Sequence, residues 1–311
     1  MKAVRIRRYG DRGVLSYEDA PVPEIGADEV LVRTVCSAVN PIDVKVRKGA
    51  LAAMLPHDLP LTLGWDVAGI VERTGADVTA FAAGDPVYCR PDIMRDGTHA
   101  EYVAIRARDL ARKPETLSFA GAASIPLAGI TAWEALFTTG NLQPGQTVLI
   151  HGGAGGVGTL AVQLARWKGA RVFATASARN HALVRSLGAD EVIDYQTVAF
   201  PDAVRDADMV LDTRGGQTLE DSWRTLRPGG ILVSIEEPPS EETALQLGVR
   251  CAMVMIEANA PVLDNLAVML DGGLLRPVVG AEFALRDMEK AQALSESGHA
   301  RGKIVIHVGQ L

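Results

Sequence analysis

The chain has 311 residues, more than one ordinary domain needs, and is 48% hydrophobic and 22% charged, the mix of a globular protein that buries a sizeable core. A net charge of −7 argues against a nucleic-acid or anionic-membrane surface. Three cysteines, Cys36, Cys89 and Cys251, are too few and too far apart for a disulfide framework or a zinc knuckle, and read as small buried side chains in a reducing, cytoplasmic setting.

Met1–Arg8 has no long apolar run and no cleavage signature, so it reads as an edge strand rather than a signal peptide. No apolar stretch is long enough to span a bilayer. Up to about residue 117 the chain is β-rich, with strands expected at 29–35, 66–72, 86–89 and 100–105 between Gly, Pro and Asp breaks. One short helix interrupts them at 40–49. Asn40 suits its N-cap, Pro41 its first position, Asp43 the third position beside free N–H groups, and Gly49 its stop. Within it Val44 and Val46 are apolar, whereas Arg47 and Lys48 read as solvated.

From residue 118 the texture changes. Residues 120–137 read as helical with a break near Pro126, and strands and helices then alternate, with strands at 147–150, 171–176, 191–195, 209–212, 231–235 and 249–256. That alternation predicts a doubly wound parallel sheet. Helices near 262–270 and 288–295 and a strand at 303–308 close the chain.

The most informative stretch is Thr147-Val148-Leu149-Ile150-His151-Gly152-Gly153-Ala154-Gly155-Gly156-Val157-Gly158, an apolar strand running into a glycine loop and then a helix. Gly153, Gly155 and Gly158 fit G-x-G-x-x-G. That pattern demands a tight turn, a backbone bare enough to approach a pyrophosphate, and close helix–strand packing. The following helix turns its free N–H groups and positive dipole end toward phosphate. Residues Gly153, Ala154, Gly155, Gly156, Val157 and Gly158 are therefore the expected dinucleotide cradle.

With these residues in view, the chain resembles the zinc-free quinone oxidoreductase (zeta-crystallin-like) branch of the medium-chain dehydrogenase/reductase superfamily. The markers span nearly the whole chain: residues 38–45 (AVNPIDVK), 63–71 (LGWDVAGIV), 97–103 (GTHAEYV), the loop 152–158, 187–195 (LGADEVIDY) and 302–305 (GKIV). The resemblance implies a GroES-like, β-rich catalytic domain from residues 1–117 completed by 258–311, and a Rossmann NADP-binding domain at 118–257. It places the nicotinamide in the cleft between them.

Zinc-dependent relatives carry Cys and His ligands and a four-cysteine lobe. Here Asn40 stands near the expected Cys, Gly64-Trp65-Asp66 replaces a Gly-His-Glu pattern, and the lobe is absent. The six histidines, at 57, 99, 151, 181, 299 and 307, show no metal-ligand spacing and read as surface or strand-end residues, so no metal site is expected. Without a Lewis acid, reduction of an electron-poor quinone or enone is a better expectation than alcohol oxidation.

No acidic residue occurs from Arg171 through Ala189, where an NAD site would place one on the ribose 2′-OH. Ser177 and Arg179 there suit a 2′-phosphate, which points to NADPH. By resemblance Tyr195 is a further phosphate contact, Thr131 touches the nicotinamide, and the backbone at Thr213 lies by the cofactor. Arg214 departs from the small or apolar residue expected after Thr213. Asn40, Asp43 and Lys45 fall in the helix that the resemblance sets beside the nicotinamide. Lys45 is the candidate donor to the acceptor's oxygen. Thr98-His99 replaces a more usual Gly-Tyr, so a tyrosine acid is missing at that spot, which leaves the proton source open between water and Lys45.

The expected activity is NADPH-dependent reduction of a small electrophilic acceptor by a homodimer joined through the apolar edge strand 249–256. The alternatives are a zinc-type alcohol dehydrogenase, disfavoured by the missing ligands, and a nucleotide-binding protein with little turnover.

Overall fold

The computed structural model describes residues 1–309, which divide into two compact units. The first holds residues 1–127, 257–273 and 277 onward; the second holds 128–256 with 274–276. The boundary lies about ten residues later than the change in sequence texture. The short helix Phe119–Ala123 packs on the strands Glu29–Val39 and Val67–Thr74 of the first unit.

The first unit is built on a seven-stranded sheet. Its path runs Val279–Ala284, Lys303–His307, Glu29–Val39, Val67–Thr74, Pro86–Cys89 and Ala111–Arg112, and Tyr102–Arg106 also pairs with Glu29–Val39. Glu29–Val39 is buried almost continuously because it is flanked along its length. Its far end, Cys36–Val39, pairs antiparallel with Ile304–His307, so a C-terminal strand borders the residue that opens the helix Pro41–Arg47. A three-stranded sheet sets Lys2–Ile6 between Leu15–Asp19 and Leu61–Thr62. The N-terminal strand is thus central in its sheet and not an edge. The two-residue partner strand is too short to register in the sequence pattern.

In the helix Pro41–Arg47, Arg47 is not solvated but fully buried. Its guanidinium donates to Gly10 O (3.2 Å), Gln292 Oε1 (2.7 Å) and Glu296 Oε1 (2.5 Å). Both side-chain partners lie on the helix Met288–Glu296, so a contact across about 250 residues of chain clamps a two-turn helix that propensity alone leaves marginal.

The second unit is a six-stranded parallel sheet in the order Glu191–Ile193, Arg171–Thr175, Thr147–Ile150, Ala207–Asp212, Leu226–Ser234, Arg250–Met253. The strand order reverses around Thr147–Ile150, the switch point where such sheets bind ligands at their carboxyl ends. The last strand is half the expected length, because only Arg250–Met253 pairs and Met255 is 67% exposed. The helix Glu241–Leu247 is additional to those expected. Its signals were local: Ser240 caps Thr243 N–H, Glu241 and Glu242 fill the first turn, and Gly248 ends it in the left-handed region.

Glu296 links this first-unit clamp to pH. Burial alone would raise its carboxyl, but hydrogen bonds from Arg47, Lys48 and Arg12 and the charge of Arg47 outweigh that and hold it down to about 2. A depressed carboxylate contributes stability above its unfolded value, near ~4.3, and loses it as pH falls through the folded one. Glu296→Gln therefore lowers the urea midpoint at pH 7, and the gap from wild type narrows as pH drops from about 4.5 toward 2. A gap that is constant across that range contradicts the assignment.

Candidate active site

The glycine loop meets each demand of its motif. A methyl group added at Gly153 would lie 2.9 Å from Ala174 Cβ and 3.2 Å from Val184 Cγ1, so bare backbone lets the loop lie on the neighbouring strand and helix. One added at Gly158 would lie 2.1 Å from Gly152 O, which fixes the close approach of helix and turn. One added at Gly155 would meet only Gly152 O, at 3.3 Å, and otherwise faces open space. Gly155 is the extended cap of the 12-residue helix Gly156–Trp167, whose first-turn N–H groups have no partner inside the helix. Two glycines pack inward and one faces outward at a helix N-terminus, so these residues fit a dinucleotide pyrophosphate.

His151 sits beneath the loop and is fully buried, not at the surface. Ser222 Oγ donates to Thr218 O (2.6 Å), so it accepts from His151 Nε2–H (3.0 Å), and Nδ1 accepts from Thr175 Oγ1 (3.2 Å). Burial pushes the imidazole down to about 3, which keeps it neutral. Its carbonyl accepts from Thr213 Oγ1 (2.8 Å), tying the loop's first residues to the end of the strand Ala207–Asp212.

Ser177 and Tyr195 follow the adjacent parallel strands Arg171–Thr175 and Glu191–Ile193 at their carboxyl ends. Ser177 is half-buried, and Arg179 and Tyr195 are exposed. Thr131 is buried on the helix Pro126–Trp133. The second unit therefore carries Thr131, Gly153–Gly158, Ser177, Arg179, Tyr195 and Thr213.

In the first unit the sequence reading singled out Asn40, Asp43 and Lys45. Lys45 is half-buried. Asn40 and Asp43 are buried, and their side chains serve an internal network. Asn40 N–H donates to Asp43 Oδ2 (2.7 Å), half of the expected cap. The Asn40 side chain is turned elsewhere: Nδ2 donates to Asp66 Oδ2 (2.8 Å), and Oδ1 accepts from the Lys303 ammonium. Lys303 also donates to Asp66 Oδ2 (2.9 Å), and the other Asp66 oxygen accepts Leu127 N–H (2.6 Å). Burial pushes the Asp66 carboxyl up, opposed by the charge of Lys303 and by hydrogen bonds from Asn40, Lys303 and Leu127.

His99 adjoins the same network and is also fully buried. Its Nδ1 lies 3.0 Å from Ser37 Oγ, and its Nε2 lies 3.6 Å from Asp43 Oδ2, beyond a hydrogen bond. The sequence reading offered a surface or strand-end position, and burial rules out the first. Ser37, Thr98 and the Asp66 carbonyl satisfy one another nearby. Asp66, Lys303 and His99 were missed as site residues, although all three fall inside stretches that carried the resemblance. Among the described residues no group of three or more His, Cys, Asp or Glu is placed to hold a metal ion. An amide at Asn40 and an indole at Trp65 are not zinc donors, and the nearest cation to Asn40 Oδ1 is the chain's own ammonium.

One unit with a parallel sheet and an open glycine loop, and another that is β-rich with a buried polar network, define a dinucleotide-dependent oxidoreductase. Residues 26–115 match the alcohol dehydrogenase GroES-like domain, and residues 187–306 match a family described as zinc-binding dehydrogenase. The structure is similar to that of the quinone oxidoreductase from Coxiella burnetii, with a TM-score of 0.95 and 37% identity over 99% of both chains. Human NAD(P)H oxidoreductase RTN4IP1, mitochondrial, is 34% identical over 99% of this chain and 89% of its own length. The chloroplastic NADPH-dependent alkenal/one oxidoreductase of Arabidopsis thaliana is 36% identical over 99% of this chain and 79% of its own. The chain belongs to the medium-chain dehydrogenase/reductase superfamily, in its zinc-free quinone oxidoreductase branch.

The cytoplasmic expectation does not stand. Relatives that are mitochondrial or chloroplastic by name overturn it. The physical basis of that expectation was weak: the three cysteines are free thiols, a state any reducing compartment supports.

The Asp66–Lys303 pair yields a stability prediction. Lys303→Met strands a fully buried carboxylate and destabilises the protein by about 3–5 kcal/mol, whereas Asp66→Asn with Lys303→Met loses much less. Chemical denaturation of the two variants checks this, and equal losses would refute the coupling.

Proposed function

We propose that this protein reduces quinones or α,β-unsaturated carbonyls with NADPH, by hydride transfer and without a metal ion. The observation that carries the reading is Gly155, whose bare face opens at the N-terminus of the helix Gly156–Trp167. The acceptor class follows from the relatives, which are a quinone oxidoreductase and an alkenal/one oxidoreductase by name. When bound, NADPH supplies the hydride to the electrophilic carbon.

Each further role belongs to the chain. The helix N–H groups at Gly156–Gly158 take the pyrophosphate, and Ser177, Arg179 and Tyr195 take the 2′-phosphate. Thr131 and the Thr213 backbone orient the nicotinamide end. Lys45 donates a hydrogen bond to the acceptor's oxygen, stabilises the enolate or hydroquinone anion, and can yield its proton. Asn40 and Asp43 are positioning residues, since their side chains are spent on Asp66, Lys303 and the helix start.

Lys45→Met keeps the stem and removes the charge. It lowers kcat at least about tenfold, ~1.4 kcal/mol of transition-state stabilisation, with NADPH affinity nearly unchanged. Steady-state NADPH oxidation over a panel of enones and quinones measures it. Wild-type kcat and kcat/KM in the variant would return Lys45 to an ordinary helix charge. Tight NADPH binding with no turnover of any acceptor would favour a binding protein instead.

We also propose a homodimer joined through Arg250–Met253. That strand ends the six-stranded sheet with only one neighbour, and an open edge invites pairing with a symmetry mate. Light scattering should give about twice the 33.0 kDa chain mass across dilution. A mass equal to one chain would defeat the proposal.

A further inference from the structure

Arg214 belongs to no role assigned so far. It follows Thr213 at the end of the strand Ala207–Asp212, in a turn held from two sides. The Asp212 carboxylate accepts the N–H groups of Arg214 (3.0 Å) and Gly215 (3.0 Å), and also Ser234 Oγ (3.2 Å). Thr213 Oγ1 donates to His151 O. The backbone at 214 is therefore fixed against the start of the glycine loop.

The side chain continues that approach. A methyl group added at Gly152 would lie 2.6 Å from Thr213 Oγ1 and 3.4 Å from Arg214 Cδ. The arginine stem thus packs over Gly152, three residues before Gly155, while the residue as a whole stays exposed. The stem is thus beside the loop as far as Cδ, within one bond of the guanidinium.

Charge gives the position a purpose. Asp212 and Glu237 bracket the turn, and Glu237 Oε1 accepts Gly216 N–H (2.5 Å). An anion arriving at the loop meets these carboxylates, and Arg214 is the basic residue of the turn that offsets them.

Topology says which part of the cofactor is concerned. Ser177 and Arg179 follow Arg171–Thr175, on one side of Thr147–Ile150, and Arg214 follows Ala207–Asp212, on the other side. Two strand spacings, ~10 Å, separate them. Arg214 is therefore remote from the 2′-phosphate residues.

We propose that Arg214 is a cofactor-binding residue that contacts the pyrophosphate from the side opposite Ser177 and Arg179, adding affinity common to NADPH and NADH. The proposal rests on the reading of the glycine loop as the dinucleotide site. Titration of the purified protein with NADPH and with NADH, followed by nucleotide fluorescence or calorimetry, tests it without turnover. Arg214→Gln raises both dissociation constants by the same factor, about tenfold. Arg214→Lys, which keeps charge but not the planar fork, loses less. Arg179→Gln weakens NADPH alone. Unchanged affinities in Arg214→Gln, or a loss confined to NADPH, overturn the proposal. Gly155→Asp separates the two levels. If it abolishes binding while Arg214→Gln does not, only the arginine's role fails; if it too binds normally, the loop reading fails and the proposal with it.

Discussion

A buried carboxylate with nowhere to send its charge organises the first unit. Asp66 is fully enclosed, and its oxygens take the Lys303 ammonium, the Asn40 amide and the Leu127 N–H. Each partner comes from a different element: a C-terminal strand, the cap of the helix Pro41–Arg47, and the first turn of the helix Pro126–Trp133. Leaving any of the three unmade would expose a buried ion or polar group to a low-dielectric interior. That constraint fixes where the helix bearing Lys45 begins. Arg47, locked to Gln292 and Glu296, fixes where it ends. A seven-residue helix is thus held at both ends by charges from distant sequence, which suits the role proposed for Lys45.

The second unit relies on neutral hydrogen bonds instead. His151 is held neutral between Thr175 and Ser222, and the turn after Asp212 is latched to its carbonyl. The buried Asp212 carboxylate in the adjoining turn is taken up by the N–H groups of Arg214 and Gly215 and by Ser234 Oγ, and the loop itself carries no charge. On the proposed reading its attraction for phosphate comes from the helix N-terminus and from basic side chains at the rim.

How much of this could be read in advance follows from sequence distance. The glycine loop was legible because strand, loop and helix are contiguous, and Gly153, Gly155 and Gly158 each have a separate steric job. The parallel sheet was legible from alternation. The Asp66–Lys303 contact was not, because it joins residues 237 apart through a strand pairing that no periodicity encodes. Arg47 and His99 look like surface residues by type and were misplaced for the same reason: their partners are nonlocal. The helix Glu241–Leu247 was a different kind of miss, since its cap, acidic first turn and terminal glycine stood in plain sequence. The N-terminal strand was misread as an edge because its second partner is two residues long.

The central claim is that this protein passes a hydride from NADPH to carbon of an electron-poor acceptor. Isotope transfer tests that step directly. With NADPH carrying deuterium at C4 of the nicotinamide on the transferred face, and a simple enone as acceptor, the account predicts one deuterium at the carbon β to the carbonyl and a solvent proton at the α carbon. Product that forms with deuterium at the carbonyl carbon, or with none, would contradict it.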